Sequence, residues 1–248
     1  MPRDWDARTY DRVADPMTRW GAAVLDRLPL AGTERVLDAG CGSGRVTELL
    51  AERLPRGRVV ALDGSQAMIE AARARLARFG DRIDYVVADL AVPLPIEPVD
   101  AILSTATFHW VPDHAALFGN LAAVLRPDGR LVAQCGGEGN IASIQRVLAG
   151  IGDGWLGAVH FAGPAQTARR LAAAGFTDIE CWLTPEPTRF ETGEPLETYL
   201  RTVVLGAHLA RLPPNAHDEF VRAVAAGLGE PVVDYVRLNI TARRAAAD

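Results

Sequence analysis

Three aspartates end three successive apolar runs of this 248-residue chain: Asp38 in VLDAG, Asp63 in VVALDGS and Asp89 in YVVADL. Asp38 leads into Gly40-Cys41-Gly42-Ser43-Gly44, with three glycines alternating among small residues. One glycine suffices for a tight turn with positive φ. Three cost conformational entropy, and their alternation clears one side of the loop so that a ligand can lie against the backbone. The third glycine comes one residue too early for the dinucleotide fingerprint G-x-G-x-x-G, and a carboxylate just before the first glycine would repel a pyrophosphate. The GK[ST] of a phosphate-binding P-loop is missing. Asp38 instead suits a ligand with a cationic amine. An acid about 20 residues beyond the glycines, here Asp63, can accept hydrogen bonds from both ribose hydroxyls, and Asp89 can meet an exocyclic adenine amine. Together the three acids read as a site for an adenosyl ligand.

A second group of side chains follows VDAILST, in ATFHWVPDH. Phe108, His109 and Trp110 are large groups at a strand's carboxyl end, where a substrate would lie, although Phe108, and less so Trp110, could instead pack under the next helix. His109 is the nearest candidate base for a phenol or alcohol acceptor, or a polar group that only orients the loop. Asp113 and Glu138 are weaker candidates, and His114 is expected to be exposed in the first turn of a helix. The run CGGEGNI adds Gly136, Gly137 and Gly139, which permit close approach or movement, and two rim groups, Glu138 and Asn140. Asn140 could instead cap the helix that follows. Further along, Arg189, Arg201 and Arg211 could pair with a substrate carboxylate, or be ordinary solvated arginines.

The elements that must position these residues alternate between strand and helix. Asp6 to Leu28 carries a helical stripe that includes Tyr10, Trp20 and Leu28 and is broken near Pro16. Strands are expected at ERVLDAG, RVVALD, RIDYVVADL, VDAILST, GRLVAQC, from Asp178 to Leu183, and in YVRLNITARR. Helices are expected from Arg45 to Leu54, after a Ser65 cap, after Pro112 and Asp113, from about Asn140 to Leu148, from Gln166 to Ala174, and over about 195–228. Such alternation means an α/β fold with a mostly parallel sheet covered on both faces. In open sheets of that kind ligands bind beyond the carboxyl ends of the strands, where the glycine loop and all three acids fall.

Composition narrows the function classes. The chain is 49% apolar and 23% charged, ordinary for a soluble globular protein. A net charge of -5 and a pI near 5.6 disfavour a nucleic-acid or membrane-surface binder. All 26 basic residues are arginine, so lysine Schiff-base chemistry is excluded. Cys41, Cys135 and Cys181 are widely separated, without metal-ligand spacing, which fits a reducing, cytoplasmic setting. The N-terminal MPRDWDARTYDR has no apolar core of a secretory signal, and no apolar run approaches a membrane span.

VLDAGCGSGRVTELL, ALDGSQAMIEAARARL and VVADL resemble the first motifs of the class I S-adenosylmethionine-dependent methyltransferases. The resemblance implies a Rossmann-like, seven-stranded, mostly parallel sheet with the last strand antiparallel, in a single domain spanning 1–248. It also implies a helical N-terminal lid at about 1–30 and a helical cap insertion at about 184–231. For S-adenosyl-L-methionine it implies Asp38, Gly40, Cys41, Gly42 and Gly44 around the methionine part, with Asp63, Gly64 and Met68 at the ribose and Asp89 and Leu90 at the adenine. Ser104 and Tyr10 complete the cofactor contacts. Phe108, Trp110 and Glu138 line the substrate pocket, with His109 as the catalytic candidate and no metal. FHWVPDH together with WDARTYDRVAD is most similar to the trans-aconitate methyltransferase group, in which the N-terminal segment, here with Trp5, Tyr10 and Trp20, folds over the cofactor. The expected activity is O-methylation of a small carboxylic acid, trans-aconitate-like or lipophilic, by a monomer or homodimer with no nucleic-acid partner and no membrane insertion. The rivals are O- or C-methylation of a phenolic or other natural-product acceptor, a nicotinamide-dependent oxidoreductase, and a non-catalytic adenosyl-binding protein.

Overall fold

A computed structural model describes residues 15–151 and 153–246. Helix α1 (Asp15–Leu25) opens at Pro16, which is where a proline is tolerated. Strand β1 (Arg35–Ala39), α2 (Arg45–Glu52), β2 (Arg58–Asp63), α3 (Gln66–Leu76), β3 (Ile83–Val87) and β4 (Val99–Thr105) follow in the expected alternation. Next come α4 (His114–Val124), β5 (Leu125–Gly136), α5 (Ala142–Ala149), α6 (Pro164–Ala173) and β6 (Phe176–Pro185). The chain then forms β7 (Thr188–Arg189), α7 (Glu194–Tyr199), a π-helical turn (Leu200–Val204), α8 (Gly206–Leu209), α9 (His217–Gly227), β8 (Val232–Val233) and β9 (Val236–Arg244).

The seven-stranded sheet has the order β3-β2-β1-β4-β5-β9-β6. The first five strands are parallel, and β9 runs antiparallel between β5 and β6. The last strand is therefore antiparallel, as expected. Strands β1, β2 and β4 read as unbroken apolar runs because helices cover both of their faces. One face packs Leu37, Val60, Ile102 and Leu131 against Phe118 and Leu121 of α4. The other packs Val36, Val59 and Leu103 against Leu25, Leu50 and Ile69. The short pair β7–β8 was not foreseen, since two residues per strand are too few to show alternation.

The topology also fixes the binding crevice. The chain winds outward from β1 through β2 to β3, then crosses back to place β4 on the other side of β1. Loops leaving β1 and β4 part in opposite directions at this switch point, and the gap between them is the expected ligand crevice. Caps fix the entry to each flanking helix. Ser65 Oγ accepts from Met68 N–H at 3.3 Å, and Asp113 Oδ1 accepts from Ala115 and Ala116 N–H at 2.9 and 3.0 Å. A third core gathers Trp20, Ile144, Leu148, Leu196, Leu200, Val221 and Val224, packing α5 against the helices between β6 and β9.

Phe118 is fully buried and meets the Phe108 ring edge-on, with centroids 5.9 Å apart. Phe118→Ala is expected to lower unfolding free energy by roughly 3–5 kcal/mol, measured by chemical denaturation, because it hollows the support of the turn that carries His109.

Candidate active site

The glycine loop is tied to both neighbouring strands. Gly40 and Cys41 N–H donate to Leu62 O at 2.8 and 2.9 Å. Gly42 N–H donates to Asp63 Oδ2 at 2.9 Å, and Ser65 N–H donates to Asp63 Oδ1 at 2.9 Å. Gly64 N–H also faces this carboxylate. Thr107 Oγ1 donates to Gly40 O at 3.2 Å across the crevice. Gly40 has φ +84, and a side chain there would overlap Thr107. Gly42 has φ +54, and a side chain there would point into open space. The loop is thus closed beneath by Thr107 and open above Gly42, which leaves a backbone cradle.

Asp38 lies at the floor of that cradle and is buried. Its Oδ2 accepts from Thr47 Oγ1 at 2.7 Å, while its Oδ1 is buried with no hydrogen-bond partner. Burial pushes its pKa up to about 7, opposed by the Thr47 hydrogen bond and supported by repulsion from Asp63. An unsatisfied buried carboxylate oxygen is costly, and a cationic group bound beside it would satisfy it. Burial also raises the Asp63 carboxyl, an effect opposed by the backbone N–H groups that bond it. Asp89 does not end β3 but lies two residues beyond it, exposed, and accepts from Ala91 N–H at 2.9 Å. Leu90 is buried in the core, and its carbonyl accepts from Asn120 Nδ2 at 3.0 Å. Cys41 and Met68 are buried beside the loop and the α3 cap. Ser104 is buried and donates to Ala39 O at 2.6 Å, which braces β4 to β1 and commits its proton to the backbone. Trp5 and Tyr10 lie outside the described residues.

Beyond the crevice, a cavity opens beside the turn after β4. Its wall includes Ala106, His109, Trp110, Asn140, Phe161, Tyr235 and Arg237, backed by Leu148, Val159, Val203 and Val204. Several expectations change here. Phe108 does not line the cavity; it is buried against Phe118 under α4. Glu138 is exposed and outside the wall, with its carboxylate beside Gly163. His114 is buried, not exposed, because its Nε2 bonds Phe108 O at 2.9 Å. Asn140 does not cap α5; its Oδ1 accepts from Val236 N–H at 2.9 Å. The helix start is held instead by Asp234, which accepts from Ser143 N–H at 2.9 Å and from the Ser143 hydroxyl at 2.5 Å. Arg189, Arg201 and Arg211 form surface pairs with Glu230, Asp218 and Asp153.

His109 is in the cavity wall, but its chemistry is not that of a base. Gly136 N–H donates to its Nδ1 at 3.3 Å. The lone pair is therefore engaged, and the ring is a neutral Nε2–H tautomer. Burial lowers its pKa to about 3, with Arg237 and His114 adding repulsion of the charged form. The ring is fixed by contact with Trp110 and Phe161 at centroid distances of 4.9 and 5.8 Å. It can donate from Nε2 but cannot hold a proton taken from an acceptor near neutral pH.

Arg237 is the main residue that sequence reasoning missed. It is 3% exposed, and its Nε donates to Gln134 Oε1 at 3.4 Å. Its guanidinium lies 4.9 Å from the Trp20 ring centroid. One signal was present: Arg237 and Asn239 share a face of an alternating strand whose other face is Leu238 and Ile240. Nothing local showed that this polar face was buried.

The methyltransferase domain family matches residues 37–133. The trans-aconitate 2-methyltransferase of Azoarcus sp. (strain BH72) is 33% identical, over 90% of this chain and 89% of that protein. That of Methylobacterium radiotolerans is 31% identical, over 98% of this chain and 99% of that protein. Among solved structures, Haemonchus contortus phosphoethanolamine N-methyltransferase 2 in complex with S-adenosyl-L-methionine aligns with a TM-score of 0.66 at 22% identity, over 97% of this chain and 57% of that one. The Bacillus subtilis YcgJ protein aligns with a TM-score of 0.63 at 16% identity, over 92% and 99%. The chain belongs to the class I S-adenosylmethionine-dependent methyltransferases, and S-adenosyl-L-methionine is its cofactor. Within that family it is similar, over nearly its whole length, to the trans-aconitate 2-methyltransferases.

The residues of the cradle fit this cofactor: an unsatisfied carboxylate oxygen awaits a cationic amine, and open backbone awaits a ligand. Asp63→Ala is expected to weaken S-adenosylhomocysteine binding at least tenfold in calorimetric titration, with an unchanged circular dichroism spectrum. Asp38 supplies a pH test. Its raised pKa stabilises the cofactor-free fold below about pH 4, and that contribution is lost as pH rises through about 7. A bound amine reverses the preference. Affinity for S-adenosylhomocysteine should therefore rise between about pH 6 and pH 8 as Asp38 ionises, and Asp38→Asn should flatten that rise.

Proposed function

We propose that the protein methylates a carboxylate oxygen of a small-molecule acid. The observation that carries this reading is the state of His109, whose Nδ1 is engaged by Gly136 N–H and whose proton affinity is suppressed by burial. Among the described residues, no aspartate or glutamate lines the cavity to take its place. An acceptor that must lose a proton would find only His109 and His208 in the wall, and burial disfavours the charged form of both. A carboxylate is ionised at neutral pH and needs none. The curated relatives carry the name of a carboxylic acid, which agrees with this chemistry.

In this reading Asp38 faces the methionine amine, Asp63 holds the ribose hydroxyls, and Asp89 with the Leu90 backbone borders the adenine. When bound, S-adenosyl-L-methionine supplies an electrophilic methyl group on a sulfonium. The protein's work is to hold the acceptor oxygen in line and to keep water out. His109 Nε2–H and Arg237 orient the carboxylate, while Trp110 and Phe161 keep that end of the cavity dry. The acid's negative charge is cancelled as the ester forms, so no proton moves. The helices over 194–227 act as the cap of the pocket.

At saturating cofactor, kcat with an acid acceptor is expected to vary less than twofold between about pH 6.5 and pH 9, since no base titrates. A slope near tenfold per pH unit, or turnover of phenols in preference to acids, would contradict the reading.

A further inference from the structure

The cavity beside the turn after β4 has a polar part and an apolar part. Arg237 and His109 form the polar part. Arg237 is held there by a buried chain of amides: its Nε donates to Gln134 Oε1, and Gln134 Nε2 donates to Asn239 Oδ1 at 2.9 Å. Asn239 Oδ1 also accepts from Arg27 Nη1 at 2.7 Å, and Asn239 Nδ2 donates to Thr184 Oγ1 at 3.0 Å. With Trp20 against its face, the guanidinium is fixed in orientation, as recognition of a planar carboxylate requires. Among the described residues, it is the one arginine in the cavity wall.

The rest of the wall is mostly hydrocarbon, with Leu148, Val159, Val203 and Val204 around one histidine, His208. The two valines sit on the π-helical turn, which Leu205 N–H closes onto Leu200 O at 2.8 Å. Such turns are rare and concentrate at functional sites. A second or third carboxylate on the ligand would face this wall and lose its hydration without gaining a donor, because His208 donates its Nε2 proton to Trp155 O at 3.0 Å and burial disfavours its charged form, which is strongly unfavourable. A hydrocarbon chain would gain from burial there.

We infer that the acceptor is an amphiphilic monocarboxylic acid, with its one carboxylate at Arg237 and its hydrocarbon tail against Leu148, Val159, Val203 and Val204, rather than a polycarboxylate. The inference rests on the reading of a carboxylate acceptor. It makes Arg237 the residue that selects the head group, Gln134 the residue that positions it, and the valines of the π-helical turn the residues that set tail length.

The test is a series of butanoate, hexanoate, octanoate and decanoate beside trans-aconitate. S-adenosylhomocysteine release is measured with the full chain, and acid binding is titrated in the presence of S-adenosylhomocysteine. The expected result is a rise in kcat/KM of at least tenfold from butanoate to octanoate, with trans-aconitate at least tenfold below octanoate. Val204→Trp should move the optimum to a shorter acid. Arg237→Met should raise KM for octanoate at least thirtyfold, and Arg237→Lys should recover part of that loss. If Arg237→Met fails to fold, the wild-type series and Val204→Trp decide the matter. Trans-aconitate outperforming every monoacid, or no dependence on chain length, would overturn the inference and leave the carboxylate reading standing. S-adenosylhomocysteine binding with no acid bound or methylated would overturn the carboxylate reading and the inference with it.

Discussion

The carboxylate of Asp63 holds Gly42 N–H with one oxygen and Ser65 N–H with the other. That pair of bonds joins the loop after β1 to the end of β2, and the rest of the site depends on it. Without it the three glycines would be a floppy connection. With it they form a fixed cradle whose floor is Asp38 and whose far side is closed by Thr107. A carboxylate that accepts backbone N–H groups and still has lone pairs to offer can serve structure and ligand together. The sheet order makes this possible, because β1 is flanked by β2 on one side and β4 on the other.

The same region is where the fold tolerates unfavourable electrostatics. Asp38 is buried with one oxygen unsatisfied, and His109 is buried in a form that cannot charge. Arg237 is buried among aromatic rings and amides. Elsewhere the described charged pairs lie near the surface, as with Arg189 and Glu230, and contribute little to stability. Strain and buried polarity gathered at one end of the sheet are what a site prepared for charged ligands should show. The cradle carries two carboxylates, Asp38 and Asp63, so a cationic cofactor would meet the opposite charge there.

Much of this was legible in the sequence, for physical reasons. Strands β1, β2 and β4 are buried on both faces, so their apolar runs are continuous and end sharply at turn residues. The caps at Ser65 and Asp113 act within three residues of themselves, so local reading finds them. The Asp–Gly pattern marked the cradle because alternate glycines have few purely structural uses. What was not legible depended on distant partners. Asp234 holds the start of α5 from 91 residues away, which left Asn140 looking like the cap. His114 looked exposed because nothing local announces its bond to Phe108 O. Arginines were sought in the cap region, where Arg189, Arg201 and Arg211 instead find acids at the surface. Arg237 lies on the strand that closes the sheet, and only the antiparallel register of β9 against β5 brings it over Gly136 and beside Gln134.

The most direct test of the account is a crystal structure of the protein with S-adenosylhomocysteine. The account predicts the ribose hydroxyls on Asp63, the amine of the homocysteine part against Asp38, and the sulfur directed toward the cavity that His109 and Arg237 line. A cofactor bound elsewhere, or with its sulfur turned away from that cavity, would contradict it.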